Sequence, residues 1–322
     1  MLRYMDYAYA VYKEKSFTKA AEKLYISQPS LSLTIKKLEK EIGGPVFERC
    51  GKEITLTEIG EKYIKAVEQV IYIKKNFENE IDDLLKLKRG TVIIGSTTFL
   101  ASYLLPDILK SFHRQYPDIK IDLIVEQSTY LEEKLEEGLV DLVIDNVTSE
   151  NPGYGYLPLF EEQIFLGVPE RLDINHKMRE YQITKEEIIA ESHRETDLKR
   201  SVYNPLPKVN LDSFKAEKFI LLKYGNKMRQ LSNKMFEESG MSPEISFEFD
   251  QLMLSVSYAE SGFGICFLTD TILKYGKDCK NLIYYLPDSS HKKRTVYISY
   301  KKSKYLTSAA EAFIEHLKNS NL

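Results

Sequence analysis

Hydrophobic positions in the first 58 residues recur at helical spacing, in short runs broken by caps. Leu2, Met5, Ala8, Tyr9 and Tyr12 form the first run. Lys15-Ser16 interrupts it, and Ser16 or Thr18 can cap a second short helix through Ala20, Ala21 and Leu24. Ser27 reads as the N-cap of a third, with Pro29 in the first turn, where its missing N–H costs least. Leu31, Ile35, Leu38 and Ile42 then share one inward stripe, and Gly43-Gly44-Pro45 stops the helix. Residues 46–49 and 53–56 flank Cys50-Gly51-Lys52 as a small hairpin. Three helices and a hairpin predict a winged helix-turn-helix.

From Thr57 a helical pattern continues to about Arg89. Ile59, Tyr63, Ala66, Val70, Ile73, Phe77, Ile81 and Leu84 follow at steps of three and four, nearly a heptad seam. The expectation is a dimerising linker helix, with packing on its own chain as the alternative. After Gly90 the pattern changes to short apolar strands at 91–95, 119–125, 141–144, 165–168, 219–222 and 245–249. Helical stretches at 100–116, 130–137, 226–239, 250–261 and 305–318 alternate with them. Repeated strand–helix units predict a parallel sheet with helices on its faces, and a segment this long predicts two lobes with a cleft. The expected division is a head at 1–58, a linker helix at 59–89 and a two-lobed α/β domain at 90–322. Lobe I takes about 90–163 and 267–322, and lobe II about 164–266. The fold class is thus multidomain: a helix-rich winged head and long helix, then a two-lobed α/β domain. The stretch 182–210 is polar and irregular; it reads as a lid, an oligomer contact or a disordered insertion.

Composition narrows the class. Of 322 residues 43% are hydrophobic and 29% charged, the balance of a globular chain. No apolar run approaches the roughly 18 residues of a membrane span. The N-terminus shows no leader pattern, and three scattered cysteines (Cys50, Cys266, Cys279) suit a reducing compartment, so a cytoplasmic protein with no membrane partner is expected. The net charge of −3 hides a division: residues 1–89 carry 17 Lys+Arg against 14 Asp+Glu, and the remainder 28 against 34. A basic head on an acidic body hints at an anionic polymer partner.

The segment from Ser16 to Ser32, together with Ile35-Lys36-Lys37-Leu38-Glu39, Val46-Phe47-Glu48-Arg49 and Leu56-Thr57-Glu58-Ile59-Gly60, closely resembles the LysR-type transcriptional regulators. The likeness is dense over about 45 residues, and length and element order extend it to the whole chain. It implies a regulator that binds double-stranded promoter DNA as a dimer or tetramer of itself, with RNA polymerase as a further candidate partner. It also implies a periplasmic-binding-protein-like domain that holds a small polar or carboxylate-bearing effector.

Candidate residues follow on both sides. With Leu31, Ile35 and Leu38 turned inward, Gln28, Ser30, Ser32, Leu33 and Lys36 remain on the outer face, beside Ser27, Pro29 and Lys37. Amides and hydroxyls suit base edges, and lysines suit phosphates; Lys52 in the hairpin is a further phosphate or minor-groove candidate. The resemblance leads one to expect Arg or Gln after Ser32. Leu33 stands there instead, able to touch a thymine methyl but not to hydrogen-bond guanine. For the effector, Ser96-Thr97-Thr98 lies between a strand and a helix, an anion-binding corner. Gln127-Ser128, Asp145-Asn146 and Tyr224-Gly225-Asn226 occupy further turns beyond strand ends, with helix capping as the plainer reading. Asp145 argues against a purely anionic ligand and for one carrying both charges.

Catalytic chemistry is not expected. Gly-x-Ser-x-Gly and phosphate-loop patterns do not occur, and the histidines at 113, 176, 193, 291 and 316 lack zinc spacing. The expectation is no enzyme, no metal and no cofactor. Two other readings stand beside the regulator: a thiol redox sensor using Cys266 and Cys279, and an α/β solute-binding protein or enzyme with a dimerising head.

Overall fold

Caps set the short helices at the start of the chain. The computed structural model describes residues 1–50, 53–84, 90–147, 150–194, 206–276 and 279–320. Its first unit carries Met1–Leu84. There α1 (Met5–Glu14), α2 (Phe17–Lys23) and α3 (Gln28–Ile42) precede a hairpin of β1 (Phe47–Cys50) and β2 (Glu53–Leu56). Ser16 Oγ accepts the N–H of Lys19, and Ser27 Oγ that of Ser30, both at 3.3 Å. Gly43, at φ +91°, ends α3 in the left-handed region open to glycine. The hairpin sets Phe47 opposite Leu56 and Cys50 opposite Glu53. Its turn, with Lys52, lies outside the described residues. Then α4 (Glu58–Leu84) begins where Gly60 presses on the hairpin: a Cβ there would lie 2.0 Å from the carbonyl oxygen of Val46. Ala8, Val11, Ala20, Leu31, Ile35, Leu38, Val46 and Ile64 are fully buried together, so the predicted stripe of α3 does face inward. Ile42, its last member, is half-buried.

The second unit opens with β3 (Gly90–Ser96), α5 (Thr98–Tyr103), α6 (Leu105–Gln115), β4 (Ile119–Val125), α7 (Ser128–Glu136) and β5 (Leu142–Asn146). It continues through β6 (Tyr154–Pro169), α8 (Ile174–Lys177), α9 (Lys185–Arg194), β7 (Lys208–Val209) and β8 (Lys218–Leu222). Next come α10 (Lys227–Glu238), β9 (Glu244–Phe249), α11 (Leu252–Glu260), β10 (Ile265–Thr269) and α12 (Asp270–Tyr275). Last are β11 (Leu282–Pro287), β12 (Lys293–Lys301) and α13 (Ser308–Lys318). The expected helix 100–116 is two helices, because Leu104 ends α5 and Pro106, lacking an N–H, sits in the first turn of α6.

The sheet order is β4-β3-β5-β12-β6-β10-β8-β9, with β11 also on β6. Three neighbours, β4, β3 and β5, are parallel, and so are β10, β8 and β9. The sheet is nevertheless mixed rather than parallel, since β12 runs antiparallel to β5 and β6, and β10 and β11 run antiparallel to β6. One long strand, β6, joins the two lobes: residues 154–163 pair with β12, and residues 164–169 with β10 and β11. The lobe boundary at 266/267 is therefore corrected. Ile265–Thr269 pairs with β6 and β8, and Leu282–Pro287 with β6, so the chain returns to lobe I only at β12. The turn at Gly262-Phe263-Gly264 joins α11 to β10 within lobe II. Of the 182–210 stretch, Ile183 and Ile188 are buried in the larger core, while residues 195–205 lie outside the described residues.

Candidate functional site

The outward side of α3 carries the expected set. Pro29, Ser30, Lys36 and Lys37 are exposed, and Leu33 is 56% exposed. Half-buried Gln28 donates through Nε2 to Ser32 Oγ at 2.9 Å, which holds two polar groups side by side on that face. Ser27 is occupied as the cap.

In the second unit a cavity of about 260 Å³ opens between the lobes. Lobe I contributes Thr97 and Thr98 at the start of α5, Gln127 and Ser128 at the start of α7, and Asp145 and Asn146 at the end of β5. All six were candidates, because turns beyond strand ends converge in such a sheet. Lobe II contributes Asn226, Lys227, Asp250 and the apolar Leu222, Met228, Leu252 and Met253; Phe99 and Leu100 form the facing apolar wall. Arg294, at the start of β12, completes the lining.

Not every candidate reaches this cavity. Ser96 is fully buried and donates through Oγ to the carbonyl of Ile144 at 3.0 Å, so its hydroxyl serves the β3–β5 junction. Tyr224 is exposed and lies over the Arg229 guanidinium, 4.2 Å from ring centroid to Cζ; neither it nor Gly225 lines the cavity. Asn226 lines it, but its Oδ1 caps α10 by accepting the N–H of Met228 at 2.9 Å. At this position capping is what the side chain does.

Charged residues absent from the sequence candidates organise the cleft. The buried ammonium of Lys227, the first residue of α10, crosses to lobe I. It meets Asp145 Oδ2 at 3.0 Å, Glu132 Oε1 at 2.9 Å and the carbonyl oxygen of Asn146. Burial works against its charge, but Asp145 and Glu132 outweigh that and hold its pKa above the ordinary lysine value. Asp145 Oδ2 is thus engaged from within by Lys227, which weakens the case for a doubly charged ligand in the cleft. Arg294 donates through Nε to fully buried Glu162 at 2.7 Å. Glu162 also accepts from Asn146 Nδ2 at 3.3 Å and from Thr269 Oγ1 at 3.3 Å. Its carboxylate fixes the Arg294 side chain, while the terminal nitrogens of that guanidinium have no partner among the described residues. Ser128 is 7% exposed, and its hydroxyl likewise makes no hydrogen bond among the described residues. At the mouth Gln127 Nε2 donates across the cleft to Asp250 Oδ1 at 3.5 Å. Arg294 had one legible sign: it ends the basic run Lys292-Lys293-Arg294 and opens the alternating run Thr295-Val296-Tyr297-Ile298. Nothing in the sequence says that this run lies beside β5.

Cys266 is sealed in the core, where burial pushes its thiol well up, and Cys279 is half-buried. Among the described residues no group of side chains has the makings of a metal site, and no helix is long and apolar enough to cross a membrane.

A helix-turn-helix head followed by a two-lobed mixed α/β domain defines the class of ligand-responsive transcriptional regulators. Family models agree: the bacterial regulatory helix-turn-helix of the lysR family matches residues 2–61, and the LysR substrate binding domain matches 86–197 and 200–321. The chain belongs to the LysR family and is a DNA-binding transcriptional regulator with an effector-binding domain. It is 30% identical to the HTH-type transcriptional regulator YcgK of Bacillus subtilis over 314 residues, covering 98% of this chain and 93% of that one. It is 27% identical to the HTH-type transcriptional activator CmpR of Synechocystis over 309 residues, covering 96% and 91%. In fold it is similar to full-length CbnR crystallised with its target DNA, with a TM-score of 0.68, 15% identity and 99% of each chain covered. These relatives are regulators, and neither the thiol-sensing nor the solute-binding reading is favoured.

Proposed function

We propose that this regulator works in the cytoplasm and reads promoter DNA with Gln28, Ser30, Ser32, Leu33 and Lys36, with Lys37 on phosphates. Its effector is a small carboxylate with a compact apolar body, bound in the cleft between the lobes. The observation that carries this reading is an arginine held by Glu162, its terminal nitrogens without a partner among the described residues, on one cavity with the Ser128 hydroxyl and an apolar wall. Lys227 has its three N–H groups engaged, so the ligand's anion falls to Arg294, Ser128 and the threonine hydroxyls at 97 and 98. A ligand touching both lobes favours the closed state by its difference in affinity for open and closed forms, which is the condition for it to signal at all.

The test is a gel shift with the purified full-length protein on DNA upstream of its own gene. Salt-sensitive, competitor-resistant binding is expected, and it is lost when Lys36 and Lys37 are both changed to Glu. A panel of small carboxylates is then screened for a change in the shift. Arg294→Lys, which keeps a cation on Glu162 but removes the terminal guanidinium donors, is expected to weaken that response at least tenfold with DNA affinity unchanged. Equal loss of both would sink the separate sensing site.

A further inference from the structure

A second cavity, of about 220 Å³, shares Asp145 and Lys227 with the cleft but lies under α7. Its chemistry is carried by Asp145, Glu132, Lys227, Tyr154, Tyr156 and Ser299. Strand alternation explains why these meet. On β5, Leu142 and Ile144 enter the larger core, so Val143 and Asp145 turn to the other face. On β12, Val296 and Ile298 enter that core, and Ser299 turns the other way, paired opposite Val143 and Tyr156.

Ser299 is 6% exposed, and its hydroxyl has no hydrogen-bond partner among the described residues. That hydroxyl opens on the cavity rather than being sealed in the core, so a ligand there can take over the hydrogen bonds that water would otherwise make with it. The rest of the lining says what kind of ligand. Lys227 spends its three donors on Asp145, Glu132 and the Asn146 carbonyl, so none remains for an anion. Two carboxylates share that one ammonium, leaving the wall one negative charge in excess. Asp145 Oδ2 takes Lys227, and Oδ1 has no partner among the described residues. Tyr154 donates to Glu136 Oε2 at 2.5 Å and Tyr156 accepts the N–H of Asn151 at 2.8 Å, which pins both rings on the cavity wall.

We propose that this cavity is a second ligand site, distinct from the carboxylate site in the cleft, and that it takes a small primary amine as its ammonium ion. The amine donates to Asp145 Oδ1 and Ser299 Oγ, and its apolar part lies against the tyrosine rings. Because it draws on the carboxylates that hold Lys227, its binding loosens the link between the lobes, and the two sites are coupled.

The experiment is calorimetric titration of the full-length protein with phenethylamine, against 2-phenylethanol and 3-phenylpropionate as neutral and anionic controls. The expected result is saturable one-to-one binding of the amine, with both controls at least tenfold weaker. Ser299→Ala is expected to weaken the amine about fivefold. Glu132→Gln, on a largely exposed side chain whose loss leaves the core intact, does the same. Ser128→Ala, which alters the cleft alone, leaves amine affinity unchanged. No saturable amine binding, equal binding of the alcohol, or an amine affinity that follows Ser128 rather than Ser299 would each overturn the site.

Discussion

At the scale of single residues, Lys227 decides most. Its side chain is 8% exposed and carries a cross-lobe ion pair with a partner, Asp145, still more buried at 6%. Removing one member of such a pair strands the other, which typically costs about 3 kcal/mol. Lys227→Met is expected to destabilise the second unit by about that much in urea unfolding. The double variant with Asp145→Asn should recover most of the loss; no recovery would mean that the pair is not what Lys227 contributes. The sign of the pH effect follows from the raised pKa. Lys227 contributes its full stabilisation below the ordinary lysine value and loses it as pH rises through its higher folded-state value. The wild type is therefore expected to lose stability relative to Lys227→Met only at strongly alkaline pH. Asp145 and Ser128, expected at turns beyond strand ends, do line the cavity, because such turns are local patterns. Sequence reasoning missed Lys227 and Arg294 because an ionisable side chain becomes informative only once its surroundings are known. It misplaced Ser96, whose hydroxyl bonds to a strand 48 residues away.

At the scale of elements, the helix ends of the head were legible. A cap involves residues two or three apart, as at Ser16, Ser27 and Gly43. Strand partners were not, since β11 and β12 pair with a strand more than 100 residues earlier in the chain. That one unknown produced both the parallel-sheet expectation and the misplaced lobe boundary. The seam on α4 is a pattern of the first kind. Ile73 is 66% and Phe77 62% exposed, an apolar stripe that its own chain leaves open to solvent. If the stripe is covered by a second copy, burying each of these side chains contributes about 2 kcal/mol to association. Ile73→Asp with Phe77→Asp is expected to halve the mass of the smallest assembly in analytical ultracentrifugation. An unchanged mass would mean that other surfaces hold the copies together.

At the scale of the molecule, the excess of base in residues 1–89 and of acid in the remainder makes the two ends of the chain unequal partners for DNA. An acidic sensing unit is repelled by phosphate, so approach is oriented by the head, and low salt should speed association more than it slows release. The lobes of the second unit meet through two antiparallel segments side by side. Residues 163 and 164 of β6 face Lys293 and Lys292, and the Ile164 N–H donates to the Lys292 carbonyl at 2.7 Å. Hydrogen exchange at Ile164 is expected to stay slow with and without effector, while the mouth near Gln127 and Asp250 changes. Fast exchange there in either state would rule out a hinge that keeps its pairing. A hinge of two bonded strands is a leaf spring: soft in bending and twist, stiff against sliding within the sheet plane. Such a hinge would leave closure few degrees of freedom, and effectors of different size would then give different angles along one path.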